Sequence, residues 1–128
     1  MKIWLIEDSE VYRRVLGNLL LTCTPYRITK EFCDKLSILK LMDELSTDGA
    51  ELPDLFLLDI YLPDIHGWQV LDKLMERRIE KPVIIISQSS NADDVQRSKA
   101  YPNVIGYFIK SDFPANLFAM IDELDSKD

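Results

Sequence analysis

Four short, almost unbroken apolar runs constrain this chain most: Ile3-Trp4-Leu5-Ile6, Leu55-Phe56-Leu57-Leu58, Val83-Ile84-Ile85-Ile86 and Val104-Ile105-Gly106-Tyr107-Phe108-Ile109. A strand that is apolar on both faces must be covered on both, which is the environment of a parallel sheet sandwiched between helices. Each run is far too short to span a bilayer. A fifth segment, Arg27-Ile28-Thr29-Lys30-Glu31-Phe32, alternates polar and apolar residues as an edge strand half in water does. The segments between the runs carry helical period. Val11, Val15, Leu16, Leu19 and Leu20 mark one face of a first helix. Ile38, Leu41, Met42 and Leu45 mark a second, ending before Asp48-Gly49. Val70, Leu71, Leu74 and Met75 mark a third, and Leu117, Met120, Ile121 and Leu124 a fifth. The fourth, around Asn91 to Ala100, has Val95 as its only large aliphatic, supported by Ala92 and Ala100, and is expected to be the most mobile. Strands alternating with helices over short connections predict an α/β fold. It is built on a five-stranded parallel sheet with helices on both faces and right-handed crossovers. With 128 residues there is room for one domain, spanning 1–128.

Charge narrows the function classes. Fifteen basic and 22 acidic residues leave 15 − 22 = −7, which disfavours direct binding of nucleic acid or an anionic membrane through the bulk surface field. No basic start leads into an apolar signal segment. Cys23 and Cys33 lack metal-ligand spacing and read as reduced thiols, so a cytoplasmic location is expected. A single histidine, His66, excludes a multi-histidine zinc site within the chain. It reads as a surface or helix-start residue.

In a parallel sheet all strand C-termini share one edge, where ligands bind. The first strand delivers Glu7-Asp8 to that edge, the third Asp59, the fourth Ser87 and the fifth Lys110. Singly, each has a plain explanation: Asp8 or Ser9 can cap the first helix, and the others can be solvated turn residues. Their joint occurrence on four strands is harder to dismiss. Three carboxylates in one partly buried site repel unless compensated, and a hard divalent cation with oxygen ligands does so. An ammonium and a hydroxyl beside one aspartate can bind phosphoryl oxygens. Together they suit stabilisation of a phosphoryl group in transfer.

These residues resemble the receiver domains of two-component response regulators. The acid pair Glu7-Asp8 is one match. Asp59-Ile60-Tyr61-Leu62-Pro63-Asp64-Ile65-His66-Gly67 is similar to the family's D-x-x-[LM]-P-x-x-x-G loop. Ser87 stands at the hydroxyl position, and Gly106-Tyr107-Phe108-Ile109-Lys110 fits a switch aromatic followed three residues later by lysine. The resemblance implies a (βα)5 flavodoxin-like three-layer sandwich of strand order 2-1-3-4-5. It also implies Asp59 as phosphoacceptor, taking its group from a phosphohistidine on a sensor histidine kinase or histidine phosphotransfer protein. Asp8, Asp59 and the Tyr61 main-chain carbonyl would hold Mg²⁺, for which Mn²⁺ can substitute, with Glu7 supporting it directly or through water. Lys110 and Ser87 would bind the phosphoryl oxygens. Movement of Ser87 would let Tyr107 turn inward, reshaping the face made by the fourth helix, fifth strand and fifth helix, through which two copies could pair. Such a domain catalyses its own phosphorylation and dephosphorylation rather than conventional turnover.

The departures are specific. The family usually has a proline with a cis peptide after the lysine; here Ser111 follows, so the turn must be held another way. Gln88 replaces the usual small residue after the switch hydroxyl, and Tyr61, Gln88 and Ser89 lie where the family tunes dephosphorylation. An atypical phosphoryl lifetime is expected. Trp4 and Trp68 read as packing residues, while Pro63 and Gly67 shape the acceptor loop. An aspartate-nucleophile phosphohydrolase would need a second acid where Tyr61 stands, and an FMN carrier would not place Glu7-Asp8-Ser9-Glu10 against a phosphate. A degenerate receiver, binding partners without phosphorylation, is the main rival.

Overall fold

The computed structural model describes residues 1–46 and 51–127. Its elements alternate in chain order: β1 (Lys2–Ile6), α1 (Glu10–Cys23), β2 (Arg27–Phe32), α2 (Lys35–Glu44), β3 (Leu55–Asp59), α3 (Gly67–Glu76), β4 (Val83–Ser87), α4 (Ala92–Ser98), β5 (Val104–Ile109) and α5 (Pro114–Ser126). The sheet is wholly parallel, in the order β2-β1-β3-β4-β5. The alternating segment Arg27–Phe32 is indeed an edge strand. The second helix closes at Glu44; Asp48-Gly49, expected just beyond it, lies outside the described residues.

Successive residues of the central strands point to opposite faces and feed two cores. Trp4, Ile6, Phe56, Leu58, Val83 and Ile85 pack with Ile38 and Leu41 of α2 and with Val70, Leu71 and Leu74 of α3. Ile3, Leu5, Leu55, Leu57, Ile84 and Ile86 pack with Leu16 and Leu20 of α1 and with Leu117 and Ile121 of α5. Trp4 packs edge-on against Phe56, and Trp68 stacks on Tyr101 with the Arg97 guanidinium over its ring, so both tryptophans pack as expected.

Two expected faces are corrected. Val11 and Val15 are 73% and 50% exposed, because α1 meets the sheet along Tyr12, Leu16 and Leu20, one residue further round the helix. Met75, at the end of α3, is also exposed. The fourth helix is shorter than its expected span, with Asn91 as N-cap and Ser98 its only buried residue. Its neighbourhood is held by polar and aromatic contacts: the Tyr101 hydroxyl donates to Asp72 Oδ1 at 2.7 Å beside the Trp68 stack. No helix among the described residues is long and apolar enough to cross a membrane.

One glycine is required by close approach. A Cβ on Gly67 would lie 2.5 Å from the Ile60 Cα and 2.7 Å from the Asp59 carbonyl oxygen, both backbone atoms that cannot swing aside. The first turn of α3 therefore rests directly on the end of β3, and the Gly67 N–H donates to the Ile60 carbonyl at 3.0 Å.

Candidate functional site

The parallel register aligns the strand ends. Asp59 pairs with Ile86 and Ser87 with Ile109, which sets Lys110 beside Ser87; the Lys110 N–H donates to the Ser87 carbonyl at 2.7 Å. At the end of β1, Ser9 is the N-cap of α1, its hydroxyl accepting from the Tyr12 N–H at 3.2 Å. Ser9 takes the capping duty and leaves the exposed Asp8 carboxylate free of it. The Arg13 guanidinium reaches back to the carbonyls of Glu7 and Asp8 at 3.0 and 2.9 Å, pinning the loop.

These elements form a cleft of about 490 Å³ lined by Glu7, Asp8, Ser9, Asp59, Tyr61, Gln88, Ser89 and Lys110. Lys110 Nζ donates to Glu7 Oε1 at 2.7 Å and to Asp59 Oδ2 at 2.9 Å. Asp59 Oδ1 accepts from the Tyr61 N–H at 2.9 Å. Glu7, Asp59 and Ser87 are all buried. One ammonium thus faces two buried carboxylates, with a third at the rim. Burial, with the Asp59 carboxylate adding to it, pushes the Glu7 pKa up to about 8, against the pull of Lys110. Burial alone would lower the Lys110 pKa, but its bonds to Glu7 and Asp59 outweigh that and raise it.

The chemistry of the donors fits a hard cation. Glu7, Asp8 and Asp59 each offer a carboxylate oxygen, all within 4.8 Å of one another. Among the described residues, Glu7 Oε2 is buried without a hydrogen-bond partner. An oxygen-only set carrying surplus negative charge suits Mg²⁺ or a similar ion far better than a soft metal.

The Glu7 shift has a consequence for stability. A carboxyl raised in the folded state binds its proton more tightly there than in the unfolded chain, where it titrates near 4.5. Above that value the folded state keeps a proton the unfolded state has lost, so stability falls as pH rises from about 4.5 to about 8. Without divalent ions, the urea midpoint should decline over this window, and Glu7→Gln should flatten the decline. An equally steep decline in that variant would assign the effect to other groups.

The remaining expected residues sit on the other wall. Ser87 Oγ accepts from the Ser89 N–H at 3.0 Å. The Tyr107 hydroxyl donates to the Ser89 carbonyl at 2.9 Å, so Ser89 links both. Gln88 is exposed at the mouth. His66 is the N-cap residue of α3, its N–H donating to Gln69 Oε1 at 3.1 Å, which is the helix-start role expected of it.

Three contributors escaped the sequence reading. Asp94, on α4, accepts hydrogen bonds from the Tyr61 hydroxyl and from Ser89 Oγ, bridging the loop after β3 and the loop after β4. The bond to Asp94 raises the Tyr61 pKa. Asp112 holds the turn that lacks proline: its N–H donates to the Ile109 carbonyl at 2.9 Å, while its carboxylate accepts from the Phe113 N–H and Asn116 Nδ2 at 2.8 and 2.9 Å. No cis peptide occurs among the described residues. Tyr12 places its ring centroid 4.6 Å from Lys110 Nζ. Only an apolar-to-aromatic change of seam on α1 could have signalled it.

Known proteins share this arrangement of elements. The sequence matches the response regulator receiver domain over residues 3–122. The response regulator Rcp1 of Synechocystis is 30% identical over 127 residues, covering 97% of this chain and 86% of Rcp1. The transcriptional regulatory protein YdfI of Bacillus subtilis is 27% identical over 121 residues, 94% of this chain but 53% of YdfI, so this chain spans about half of that relative's length. The structure of the Mn²⁺-bound form of Rcp1 superposes with a TM-score of 0.72 at 28% identity, covering 98% of this chain and 91% of that one. A CheY-like receiver domain protein from Methanospirillum hungatei gives 0.76 at 21% identity, covering 98% and 94%, a likeness of fold.

Proposed function

Because this chain belongs to the response regulator receiver family of two-component signalling, we propose that it accepts a phosphoryl group on Asp59 in a Mg²⁺-dependent reaction. The donor is a phosphohistidine of a sensor histidine kinase or histidine phosphotransfer protein. The observation that carries this reading is the Lys110 ammonium bonded at 2.9 Å to the buried Asp59 carboxylate, within reach of two further acids. An Asp59 oxygen attacks phosphorus and the N–P bond of the donor breaks, the imidazole, already protonated on its other nitrogen, leaving as a neutral ring. The product on this chain is an acyl phosphate.

Asp8 and Asp59, with the Tyr61 main-chain carbonyl, would hold the Mg²⁺, or a substituting Mn²⁺, and Glu7 would support it directly or through water. The ion supplies neutralisation of phosphoryl charge. The chain's own groups do the rest. Lys110 exchanges its Asp59 oxygen for a phosphoryl oxygen, and the Tyr61 N–H keeps the acceptor carboxylate oriented. Ser87 Oγ turns to donate to another phosphoryl oxygen. That turn gives up the bond from the Ser89 N–H, and since the Ser89 carbonyl accepts from the Tyr107 hydroxyl, rearrangement of Ser89 would free the aromatic as well. The exposed surface of α4, β5 and α5 would change with it, and two phosphorylated copies would pair there.

Incubation with a small phosphodonor tests this directly. Intact mass should rise by one phosphoryl group with Mg²⁺ present and not after chelation. Absence of any mass change under both conditions would favour a binding module that works without phosphorylation.

Tyr61 and Gln88 bear on how long the group survives. The Tyr61 hydroxyl reaches Asp94 across the mouth of the cleft, and Gln88 lines the same opening. Removing either side chain should admit water more freely. Tyr61→Ala is expected to shorten the acyl phosphate half-life by roughly tenfold or less, the scale of one charge-assisted hydrogen bond at a partly exposed site. Gln88→Ala should act in the same direction, more weakly. Unchanged hydrolysis in both variants would show that the mouth does not control water access.

A further inference from the structure

Three groups surround the Lys110 ammonium, and one differs in kind from the others. Glu7 Oε1 at 2.7 Å and Asp59 Oδ2 at 2.9 Å are charged and belong to the acidic cluster. The Tyr12 ring, with its centroid 4.6 Å away, is neutral and offers the electron-rich face of an aromatic quadrupole. That ring is firmly placed. The Tyr12 N–H is bonded to the capping Ser9, the side chain packs against the core on the α1 face of the sheet, and Arg13 next to it ties α1 to the carbonyls of Glu7 and Asp8.

The two kinds of partner respond differently to a divalent cation. Such an ion competes with Lys110 for the same carboxylate oxygens and repels the ammonium directly. Both salt bridges therefore weaken when the lysine is needed over Asp59. An aromatic face is not a ligand for a hard ion, and its attraction for the ammonium survives. We infer that Tyr12 is a positioning residue for Lys110, holding the ammonium over the acceptor by a contact that does not depend on the state of the carboxylates. The inference rests on the phosphoacceptor reading for its consequence, but the contact itself is testable without it.

Two measurements decide the matter. In wild-type protein, the ε-methylene protons of Lys110 should show an upfield ring-current shift by NMR, retained on adding Mg²⁺. Tyr12→Phe should keep that shift, and Tyr12→Leu, which still packs but has no face, should lose it. With saturating Mg²⁺ and a small phosphodonor, Tyr12→Leu should label roughly 3- to 30-fold more slowly, the range of a partly buried cation–π contact, and Tyr12→Phe should recover the wild-type rate. An ordinary ε-methylene position in wild type, or equal labelling by the Leu and Phe variants, would overturn the inference. If wild-type protein takes no phosphoryl group at all, the phosphoacceptor reading falls, while the NMR shift still decides the role of Tyr12.

Discussion

The Asp59→Asn variant is expected to take up no phosphoryl group from a small donor or from a phosphohistidine, and to remain folded. Asparagine matches aspartate in shape, and its carbonyl oxygen can still accept the Tyr61 N–H bond now made by Oδ1. What it loses is the nucleophilic carboxylate. The variant should not be less stable, because Asp59 is one of two buried acids sharing a single ammonium. Removing its charge leaves Lys110 with Glu7 alone. The Asp59 contribution to the raised Glu7 pKa disappears, and the value moves back toward the ordinary carboxylate range. Intact mass after donor treatment reads the first expectation and urea unfolding the second. A mass gain equal to that of wild type would remove Asp59 from the role of acceptor.

Lys110→Met carries the second large effect. Methionine keeps much of the volume of the aliphatic stem while removing the one cation, among the described residues, that touches Glu7 and Asp59. Loss of a preorganised donor to developing charge costs on the order of 100- to 1,000-fold in rate in acyl transfer, and labelling of the variant should fall on that scale. Stability should drop as well. Breaking a buried pair by removing one partner costs about 3–5 kcal/mol, reduced wherever a carboxyl left behind can take up a proton. Lys110 pulls the Glu7 pKa down, so without it Glu7 holds its proton to higher pH. The stability deficit should accordingly be smallest in acid and grow as pH rises, read by denaturant midpoints across the range. A deficit independent of pH would show that lost packing, not charge, is the cause.

The fold was legible because its strands announce themselves. The continuous apolar runs of β1, β3 and β4 lie where both faces are covered, as the two separate cores show. The same kind of run in β5 instead forms the other edge of the sheet, with Ile105 48% exposed. The edge position of Arg27–Phe32 followed from its alternation in the same way. Helix faces were less determinate. Val11 and Val15 are spaced i, i+4 as well as Tyr12 and Leu16 are, and nothing local says which line meets the sheet; the larger residues of the second line win the buried position. The candidate site was legible to the extent that strand ends project to one rim, which brought Glu7, Asp8, Asp59, Ser87 and Lys110 forward by position alone. Tyr12, Asp94 and Asp112 were not visible. Each acts through a side-chain direction or a crossing that emerges only when elements remote in sequence have docked. Asp112 is the plainest case. The absence of proline after Lys110 could be read from Ser111, but the aspartate that holds the turn instead looks like any other polar loop residue.

The missing Cβ at Gly67 divides the cleft mechanically. With α3 seated on the backbone of Ile60 and on the Asp59 carbonyl oxygen, Asp59 stands on a bed formed by strand and helix together. The opposite wall has no such bed: α4 buries only Ser98, and its link to the cleft runs through the side chains of Asp94, Ser89 and Tyr61. One wall is therefore backbone seated on backbone, while the other meets the cleft through side-chain hydrogen bonds. A phosphoryl group received there as proposed is expected to displace the side-chain-held wall and leave the backbone-seated one in place.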